Sequence, residues 1–326
     1  MKALYFDNKL KLVECQKPER GRGEAIIRVL MAGICNTDLE IIKGYRKFKG
    51  ILGHEFVGVV EECKNHGLLG KRVAGEINCV CGKCSFCTAG LKTHCKDRRV
   101  LGILDHHGAF AEYLVLPEEN LHLISDKIAD EEAVFLEPLA AGFQVTEQVH
   151  IMPSDRVIVL GDGKLGLLVA QVLALTGCDL MVAGNHPSKL SIVKSMGIDT
   201  SLIDDLGERN ADVVIDCTGT PEGLEMAIGL TRPRGTIVLK STVAENRELD
   251  LTPLVVNEIT LIGSRCGHFP SAIRALERGL IDVTPLVSGM YSINDGINAF
   301  EDAAKKGALK ILLTMDQKNL KKERLR

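Results

Sequence analysis

The chain has 326 residues, which exceeds what one hydrophobic core usually supports and favours two domains. Apolar residues make up 45% and charged residues 25%, and the formal net charge is −3, which argues against a surface built for nucleic acid or anionic lipid. No apolar stretch is long enough to span a bilayer and no signal peptide is recognisable at the N-terminus, so we expect a cytoplasmic protein.

The first third of the chain predicts a β-rich domain. The N-terminal segment alternates apolar and charged residues, as a strand does, and glycine and charged turns separate the segments that follow. The predicted strands are Glu24–Val29, Phe56–Val60, Arg72–Ala74 and Ala109–Leu116. This density of short strands is typical of a β-barrel or sandwich.

The pattern changes after Glu137. Arg156–Leu160 is a continuous apolar strand, and a glycine turn and an apolar helix ending near Leu175 follow it. Further predicted strands are Leu180–Ala183, Asp212–Ile215, Gly235–Lys240 and Ile259–Ile262, and the last segment, from about Phe269, carries helices and a final strand at Lys310–Leu313. Apolar strands that alternate with helices predict a parallel sheet covered on both faces. The basic tail Lys318–Arg326 is expected to be a frayed terminus.

Four cysteines form a C-x2-C-x2-C-x7-C pattern. They are Cys81, Cys84, Cys87 and Cys95, and Cys79 lies outside the pattern. Disulfides are rare in the cytosol, and four thiolates with no open position describe a structural zinc site. The alternative, a set of reduced surface thiols, would be an oxidation hazard.

Three further pieces of sequence are weak singly: GICNTD at 33–38, GHE at 53–55 and EPLA at 137–140. A lone cysteine is usually a buried hydrophobe, a His-Glu pair usually lies on the surface, and Glu-Pro often starts a helix. Together, with the cysteine cluster between the second and third, they resemble the zinc-containing medium-chain dehydrogenases, which include alcohol, sorbitol and threonine dehydrogenases. The resemblance covers essentially the whole chain.

The resemblance implies an α/β fold, with a doubly wound parallel Rossmann sheet and a GroES-like β-barrel catalytic domain that carries a structural zinc lobe at about 79–97. It places the catalytic domain at 1–137, the dinucleotide-binding domain at 138–266 and a return to the catalytic domain at 267–326. It also implies a homodimer or homotetramer.

The resemblance also implies a catalytic zinc. Cys35, His54 and Glu137 match its ligands, and Glu55 matches an acid that enters the ligand shell in some members. Asp38 matches the acid that orients the histidine. Three protein ligands leave a fourth position for the oxygen of the substrate.

The implied reaction transfers hydride between NAD(P) and an alcohol, polyol or sugar alcohol, converting a secondary alcohol into a ketone. Thr37 matches the hydroxyl that begins the proton relay. Glu40 stands where a histidine often continues that relay, and it is equally a candidate for a solvated helix residue. Glu137 as third ligand favours polyols by analogy. The alternatives are a zinc-free reductase of enones or quinones and a non-catalytic protein with the same fold.

A dinucleotide-binding turn is predicted directly after the strand Arg156–Leu160. Gly161, Gly163 and Gly166 fit a G-x-G-x-x-G pattern, with Lys164 and Leu165 between them. Between a strand and a helix, this pattern lets the backbone approach a pyrophosphate at the positive end of the helix.

The end of the next strand bears on the choice between NAD and NADP. Gly184 stands where an acid is expected to hold the ribose 2′-hydroxyl of NAD, and Asp179 lies at the wrong end of the strand. Asn185, His186 and Lys189 are candidate donors to a 2′-phosphate. The sequence therefore favours NADP, although the arginine that usually binds this phosphate is missing.

Further candidates rest on position alone. Thr218, Gly219 and Arg265 follow later strands and are expected to line the cofactor, and Lys240 is either a lining residue or a solvated strand end. Candidate substrate-lining residues are Tyr45, Phe48, His106 and Phe269.

Overall fold

The computed structural model describes residues 1–44, 47–207, 210–241 and 248–315. Tyr45 and the basic tail lie outside these described residues. The strands are β1 (Lys2–Asp7), β2 (Lys9–Glu14), β3 (Glu24–Ile34), β4 (Gly50–Ile51), β5 (Glu55–Glu62), β6 (Arg72–Gly75), β7 (Asn78–Cys79), β8 (Arg99–Val100), β9 (Tyr113–Pro117), β10 (Leu121–Leu123), β11 (Arg156–Leu160), β12 (Asp179–Gly184), β13 (Asp199–Leu202), β14 (Ala211–Asp216), β15 (Thr231–Leu239), β16 (Thr260–Gly263), β17 (Val287–Ser292) and β18 (Lys310–Thr314). The helices are α1 (Asn36–Ile42), α2 (Ser85–Thr88), α3 (Asp130–Ala133), α4 (Leu136–Gln148), α5 (Lys164–Ala174), α6 (Pro187–Lys194), α7 (Pro221–Leu230), α8 (Thr252–Val256), α9 (Phe269–Glu277) and α10 (Gly296–Ala303).

Two compact units divide the chain. The first contains Met1–Glu137, Leu276–Arg278 and the described residues from Val283 onward, and the second contains Pro138–Ala275 and Gly279–Asp282. Residues 267–275, which we expected in the returning segment, group with the second unit. Among the described residues, no helix combines the length and the apolar character that crossing a bilayer requires.

The first unit is built from mostly antiparallel strands. Its largest sheet has the order β10-β6-β5-β3-β18-β17, with β9 also paired to β3, and a second sheet has the order β2-β1-β4. The rings of Phe110 and Phe300 pack edge to face in the core, with centroids 5.6 Å apart. A short ladder between β7 and β8 flanks the cysteine cluster.

The second unit is one parallel sheet of order β13-β12-β11-β14-β15-β16. This order places β11 at the centre, with the chain running outward first to one side and then to the other, as in a doubly wound nucleotide-binding fold. One core cluster packs strand residues against α7; its members include Ile158, Leu160, Val214, Ala227 and Ile237. The predicted α/β class and the parallel sheet are confirmed.

One predicted strand is shorter than expected. The sequence predicts a strand over Ala109–Leu116, but the ladder with β3 begins only at Tyr113. Before it, the backbone N–H groups of Ala109 and Phe110 donate to the carbonyl oxygens of Gly53 and Leu52 at 2.9 Å. These residues therefore satisfy their backbone against a loop that enters the candidate site.

Candidate active site and metal centres

Three neighbouring strands bring the candidate ligands together. In the antiparallel pair of β3 and β5, Gly33 lies opposite Glu55, and in the pair of β3 and β18, Ile311 lies opposite Ile34. Cys35 follows the last residue of β3, and Lys310 is the first residue of β18. A thiol, a carboxylate and an ammonium from distant parts of the chain therefore meet at one end of the sheet.

Gly33 makes this approach possible. A Cβ atom at position 33 would lie 2.6 Å from Glu55 Oε2 and 2.7 Å from Val134 Cγ1, distances that real Cβ atoms do not adopt. Glycine is required here for space rather than for backbone conformation, because the neighbouring side chains already fill the volume.

Cys35, His54 and Glu55 form the candidate catalytic metal centre. One ligand atom from each residue lies within 4.8 Å of the others. His54 and Glu55 are buried at 3% and 0% exposure. Among the described residues, Glu55 Oε1 is buried and has no hydrogen-bond partner. Buried polar atoms are rarely left without a partner, and a thiolate, an imidazole and a carboxylate are a donor set that zinc accepts, so these residues fit a zinc ion.

Asp38 contacts the backbone of this cluster and the imidazole of His54. Its carboxylate accepts hydrogen bonds from the backbone N–H of Cys35 at 2.9 Å and of Gly53 at 3.2 Å, and it is completely buried. Its Oδ1 lies 3.3 Å from His54 Nδ1, an electrostatic contact whose angles do not meet hydrogen-bond geometry. Burial lowers the pKa of His54, but the charges of Asp38 and Cys35 outweigh burial and hold that pKa well above its usual range. The cluster thus attracts positive charge.

Lys310 is a member of the site that sequence reasoning missed. Its ammonium donates a hydrogen bond to Glu55 Oε2, and the lysine side chain is 1% exposed. Burial lowers the pKa of Lys310, while the charges of Glu55, Cys35 and Glu137 raise it above its ordinary value. The sequence offered no signal for this pair beyond a lysine at the start of an apolar strand.

The remaining candidates of this site differ in placement. Thr37 Oγ1 lies 3.7 Å from Cys35 Sγ. Glu40 forms an ion pair with the exposed Lys43 at 2.9 Å. Glu137 is half-buried and lies outside the group of three ligand atoms found among the described residues, although its charge acts on Lys310.

The four cysteines of the predicted lobe converge. The Sγ atoms of Cys84 and Cys87 are 3.6 Å apart, those of Cys84 and Cys95 are 3.9 Å apart, and those of Cys81 and Cys95 are 3.5 Å apart. A tetrahedral zinc with Zn–S bonds of about 2.3 Å has sulfur–sulfur edges of about 3.8 Å. The spacing therefore fits a structural zinc ion.

Backbone hydrogen bonds lower the pKa of one of these thiols and so favour the thiolate that binds metal. Cys84 stands at the N-terminus of α2, and hydrogen bonds from the backbone N–H groups of Cys87 and Lys96 lower its pKa to about 6. Cys79 is not in the cluster, and burial raises its pKa to about 11. Cys79 is therefore a buried thiol, in line with its exclusion on spacing.

The glycine turn of the second unit has the close contacts that its sequence requires. Gly161 has a φ of +107°, and a Cβ there would meet the backbone of Cys217 at 2.8 Å. A Cβ on Gly166 would lie 2.0 Å from the carbonyl oxygen of Gly161. Gly163 caps α5 and faces open space. Lys164 and Leu165 begin the helix and are half-buried, so the turn offers a helix N-terminus with room beside it.

A second turn follows β14. The backbone N–H and the hydroxyl of Thr218 donate to Asp216 Oδ1 at 2.8 and 2.7 Å. Burial raises the pKa of Asp216. Gly219 adopts a φ of +73°, and its N–H donates to Ser241 Oγ at 2.8 Å. Hydrogen bonds from its backbone and side chains therefore connect this turn to Asp216 and Ser241.

Two basic residues after the later strands have different environments. Lys240 is only 8% exposed, and its ammonium donates to the carbonyl oxygens of Ala141 at 2.6 Å and Arg265 at 3.1 Å and to Ser264 Oγ at 3.2 Å. A solvated strand end is therefore the wrong interpretation of Lys240. Arg265 itself is exposed.

The residues expected around the adenosine ribose lie at the end of β12. Gly184 is buried, Asn185 is exposed, and His186 and Lys189 are half-buried. Asp162, the residue between the first two glycines of the turn, accepts a hydrogen bond from the backbone N–H of His186 at 2.6 Å. Sequence reasoning gave Asp162 no role.

The suggested substrate-lining residues among the described residues have different environments. Phe48 is buried in the first unit, where a Cβ at Gly50 would lie 3.2 Å from its ring. His106 is half-buried, and its Nδ1 lies 2.8 Å from the carbonyl oxygen of His107. Phe269 is 3% exposed and belongs to the second unit.

Comparison with known proteins gives two family matches. Residues 21–126 match the family described as Alcohol dehydrogenase GroES-like domain, and residues 165–280 match the family described as Zinc-binding dehydrogenase. Both matches agree with the units seen in the fold: the first lies within the β-rich unit and the second mainly within the parallel-sheet unit.

Similar proteins match over nearly the full chain. The starvation-sensing protein RspB of Escherichia coli K12 is 31% identical, over 97% of this chain and 100% of that protein. A sorbitol dehydrogenase of Halalkalibacterium halodurans is 29% identical over 92% of this chain and 94% of its own. An L-threonine 3-dehydrogenase of Streptomyces avermitilis is 30% identical over 96% of this chain and 99% of its own.

Among solved structures, RspB from Escherichia coli CFT073, complexed with NADH, superposes with a TM-score of 0.88 at 29% identity and covers 97% of this chain and 99% of its own. The fold, the two family matches and the relatives agree with the resemblance that the cysteine, histidine and glutamate motifs suggested. The chain belongs to the zinc-containing medium-chain dehydrogenase family.

Proposed function

We propose that the protein is a zinc-dependent oxidoreductase that transfers hydride between NAD(P) and an alcohol, polyol or sugar alcohol, converting a secondary alcohol into a ketone. The observation that carries the proposal is the convergence of Cys35, His54 and Glu55, whose ligand atoms lie within 4.8 Å of one another. Relatives named sorbitol dehydrogenase and L-threonine 3-dehydrogenase support a secondary alcohol as substrate.

In this proposal Cys35 and His54 supply two ligands of the catalytic zinc, and a carboxylate supplies the third. Glu55 has a buried, unpartnered Oε1 at the centre, whereas Glu137 is the third ligand that the family resemblance suggests. When bound, zinc supplies Lewis acidity that favours loss of the hydroxyl proton of the alcohol.

The protein's own residues hold this centre and handle the proton. Asp38 fixes the backbone at Cys35 and lies against His54, which sets the direction of the imidazole. The hydroxyl of Thr37, 3.7 Å from Cys35 Sγ, is the proposed first acceptor of the substrate proton. Glu40 remains a candidate for a later position in the relay, although its partner here is Lys43 at the helix surface.

The second unit is proposed to bind the dinucleotide. The turn Gly161–Gly166 and the N-terminus of α5 hold the pyrophosphate, and Thr218, Gly219 and Arg265 line the cofactor. The four-cysteine lobe holds a second, structural zinc.

We also propose a cytoplasmic homodimer or homotetramer. The second unit exposes apolar side chains next to its edge strand β16: Val255 is 77% exposed, Val256 is 72% exposed and Leu261 is 42% exposed. An unpaired strand edge beside exposed apolar residues is a surface that proteins usually cover. Light scattering coupled to size-exclusion chromatography tests the assembly, and a monomer contradicts it.

Metal content and turnover together test the proposed function. We expect two zinc ions per chain, and reduction of NAD or NADP with at least one compound in a panel of secondary alcohols, sugar alcohols and hydroxy-amino acids. One zinc per chain, or no turnover across the panel with either cofactor, contradicts the proposal.

A matched pair of cysteine variants locates the activity. Cys35→Ser should lower turnover by about a thousandfold or more, because the Lewis-acid contribution is worth several kcal/mol, and should leave one zinc per chain. Cys15→Ser, at a half-buried thiol after β2, should keep both metals and full turnover. Full activity in Cys35→Ser refutes the ligand assignment.

A further inference from the structure

The side chain of Asp162, a residue of the glycine turn, lies at the end of β12. A Cβ atom at Gly184 would lie 2.5 Å from both the Cβ and the Oδ2 of Asp162. The Asp162 side chain therefore fills the space in which a side chain at position 184 would begin. In dinucleotide-binding folds that prefer NAD, an acid about twenty residues after the glycine turn occupies this strand end.

Asp162 is held there by several contacts. It is 7% exposed, and its Oδ2 accepts a hydrogen bond from the backbone N–H of His186 at 2.6 Å. His186 Nδ1 lies 3.1 Å from Oδ1 and 3.0 Å from Oδ2, and Lys189 Nζ lies 3.9 Å from Oδ1. The carboxylate is thus fixed in position by the first turn of the helix that follows the strand.

The contact with Asp162 bears on the hydrogen-bonding role of His186 Nε2. Because a carboxylate only accepts, the proton in the contact with Asp162 lies on Nδ1, and in that tautomer Nε2 is an acceptor. Among the described residues, His186 Nε2 is buried and has no hydrogen-bond partner. An acceptor in this position suits a ligand that donates an O–H group.

A 2′-phosphate would meet the opposite conditions. It carries a charge of about −1.5 to −2 at neutral pH and needs donors. Lys189 is a cation that contacts Asp162, and its charge is already opposed by that carboxylate. The ribose of NAD, with a 2′-hydroxyl, can instead donate to Asp162 or to His186.

We infer that Asp162, supplied by the glycine turn in place of an acid at position 184, selects NAD over NADP, with His186 as its positioning partner. The inference rests on the proposed function, because it presupposes that this unit binds a nicotinamide dinucleotide. It reverses the preference for NADP that the sequence alone favours, since the acid missing at Gly184 is replaced from another position.

Equilibrium titration of NADH and NADPH, followed by nicotinamide fluorescence without substrate, tests the inference. The wild-type protein should bind NADH about tenfold or more tightly than NADPH. Asp162→Asn keeps the size and an acceptor oxygen but removes the charge, and it should lower that preference about tenfold, mainly by tightening NADPH binding. Asp162→Ser should act in the same direction if the asparagine variant unfolds at a lower temperature.

The matched control is Asp179→Asn, which removes the same charge from the exposed opposite end of β12. Its preference should equal that of the wild type. Equal or tighter binding of NADPH by the wild type overturns the inference, as does an unchanged preference in both Asp162 variants. Failure to bind either nucleotide overturns the proposed function as well, so the two failures are distinguishable.

Discussion

Lys310, at the start of β18, donates a hydrogen bond to Glu55, at the start of β5, and neither side chain reaches solvent. The lysine occupies Oε2 of the carboxylate, while Oε1 is buried and has no partner in the described part of the chain. Glu55 can therefore offer one oxygen to a metal beside Cys35 and keep the other on Lys310. The ammonium of Lys310 thus balances the charge of the buried Glu55 carboxylate at the candidate metal centre.

Removal of Lys310 should destabilise the first unit. Lys310→Met leaves Glu55 as a buried carboxylate without its cation, and breaking a buried pair in this way costs about 3–5 kcal/mol. We expect the apparent Tm from circular dichroism to fall by several degrees, and turnover to fall with it.

Lys305→Met is the control, because Lys305 pairs with Asp302 at the surface, where its side chain is 71% exposed. Its Tm should not change measurably, since exposed pairs contribute little. Lys310→Arg, which keeps the charge, should recover part of the stability. An unchanged Tm in Lys310→Met contradicts the interpretation of the pair.

Gly33 should tolerate no side chain. Gly33→Ala places a Cβ 2.6 Å from Glu55 Oε2, so either Glu55 or β3 must move. Overpacking of this kind costs about 1–3 kcal/mol, and the displaced carboxylate should lower both turnover and zinc content. Gly229→Ala in α7 is the control: a Cβ there meets nothing within 4 Å, and alanine favours helix. A Gly33→Ala enzyme with normal zinc and turnover would contradict the close packing described here.

Local patterns predicted much of the fold. The strand Arg156–Leu160 and the glycine turn after it were predictable because their signals lie within a dozen residues, and the four cysteines because their spacing is itself the geometric constraint. Lys310 and Glu55 are 255 positions apart, so only the order β5-β3-β18 brings them together.

Asp162 escaped prediction for a related reason. It occupies a variable position of the glycine pattern, and its contact with Gly184 depends on the direction of a side chain in a tight turn. The absence of an acid at position 184 could be seen in the sequence, whereas its replacement from position 162 could not. Register and side-chain direction, rather than composition, separate the predicted from the unpredicted parts of the site.

Asp38 should control the affinity of the catalytic centre for zinc. Asp38→Asn removes the charge beside His54 and leaves an amide that cannot accept from both Cys35 and Gly53 with two equivalent oxygens. Loss of such an orienting partner typically weakens metal binding 10- to 100-fold. Competition with a zinc chelator should show one weakened site and one unchanged lobe site. Glu40→Gln, on the same helix, is the control and should keep both sites, and equal affinities in the two variants would contradict this role of Asp38.

Without zinc, the cysteine lobe should contain one thiol, that of Cys84, that reacts at unusually low pH. The pKa of Cys84 is lowered to about 6, so its thiolate is present above that pH and is lost as the pH falls below it, whereas an ordinary thiol needs a pH near 8.5. Burial raises the pKa of Cys217 to about 12 and keeps it protonated throughout this range.

After zinc is withdrawn with a chelator, iodoacetamide should therefore modify Cys84 first, with a rate that is half-maximal near pH 6, and should spare Cys217. Peptide mapping by mass spectrometry follows both sites, and the zinc-loaded protein serves as the control because a bound thiolate is protected. A modification rate for Cys84 centred near pH 8.5, or equal rates at the two cysteines, would show that the backbone N–H groups of Cys87 and Lys96 do not prepare this thiol for metal.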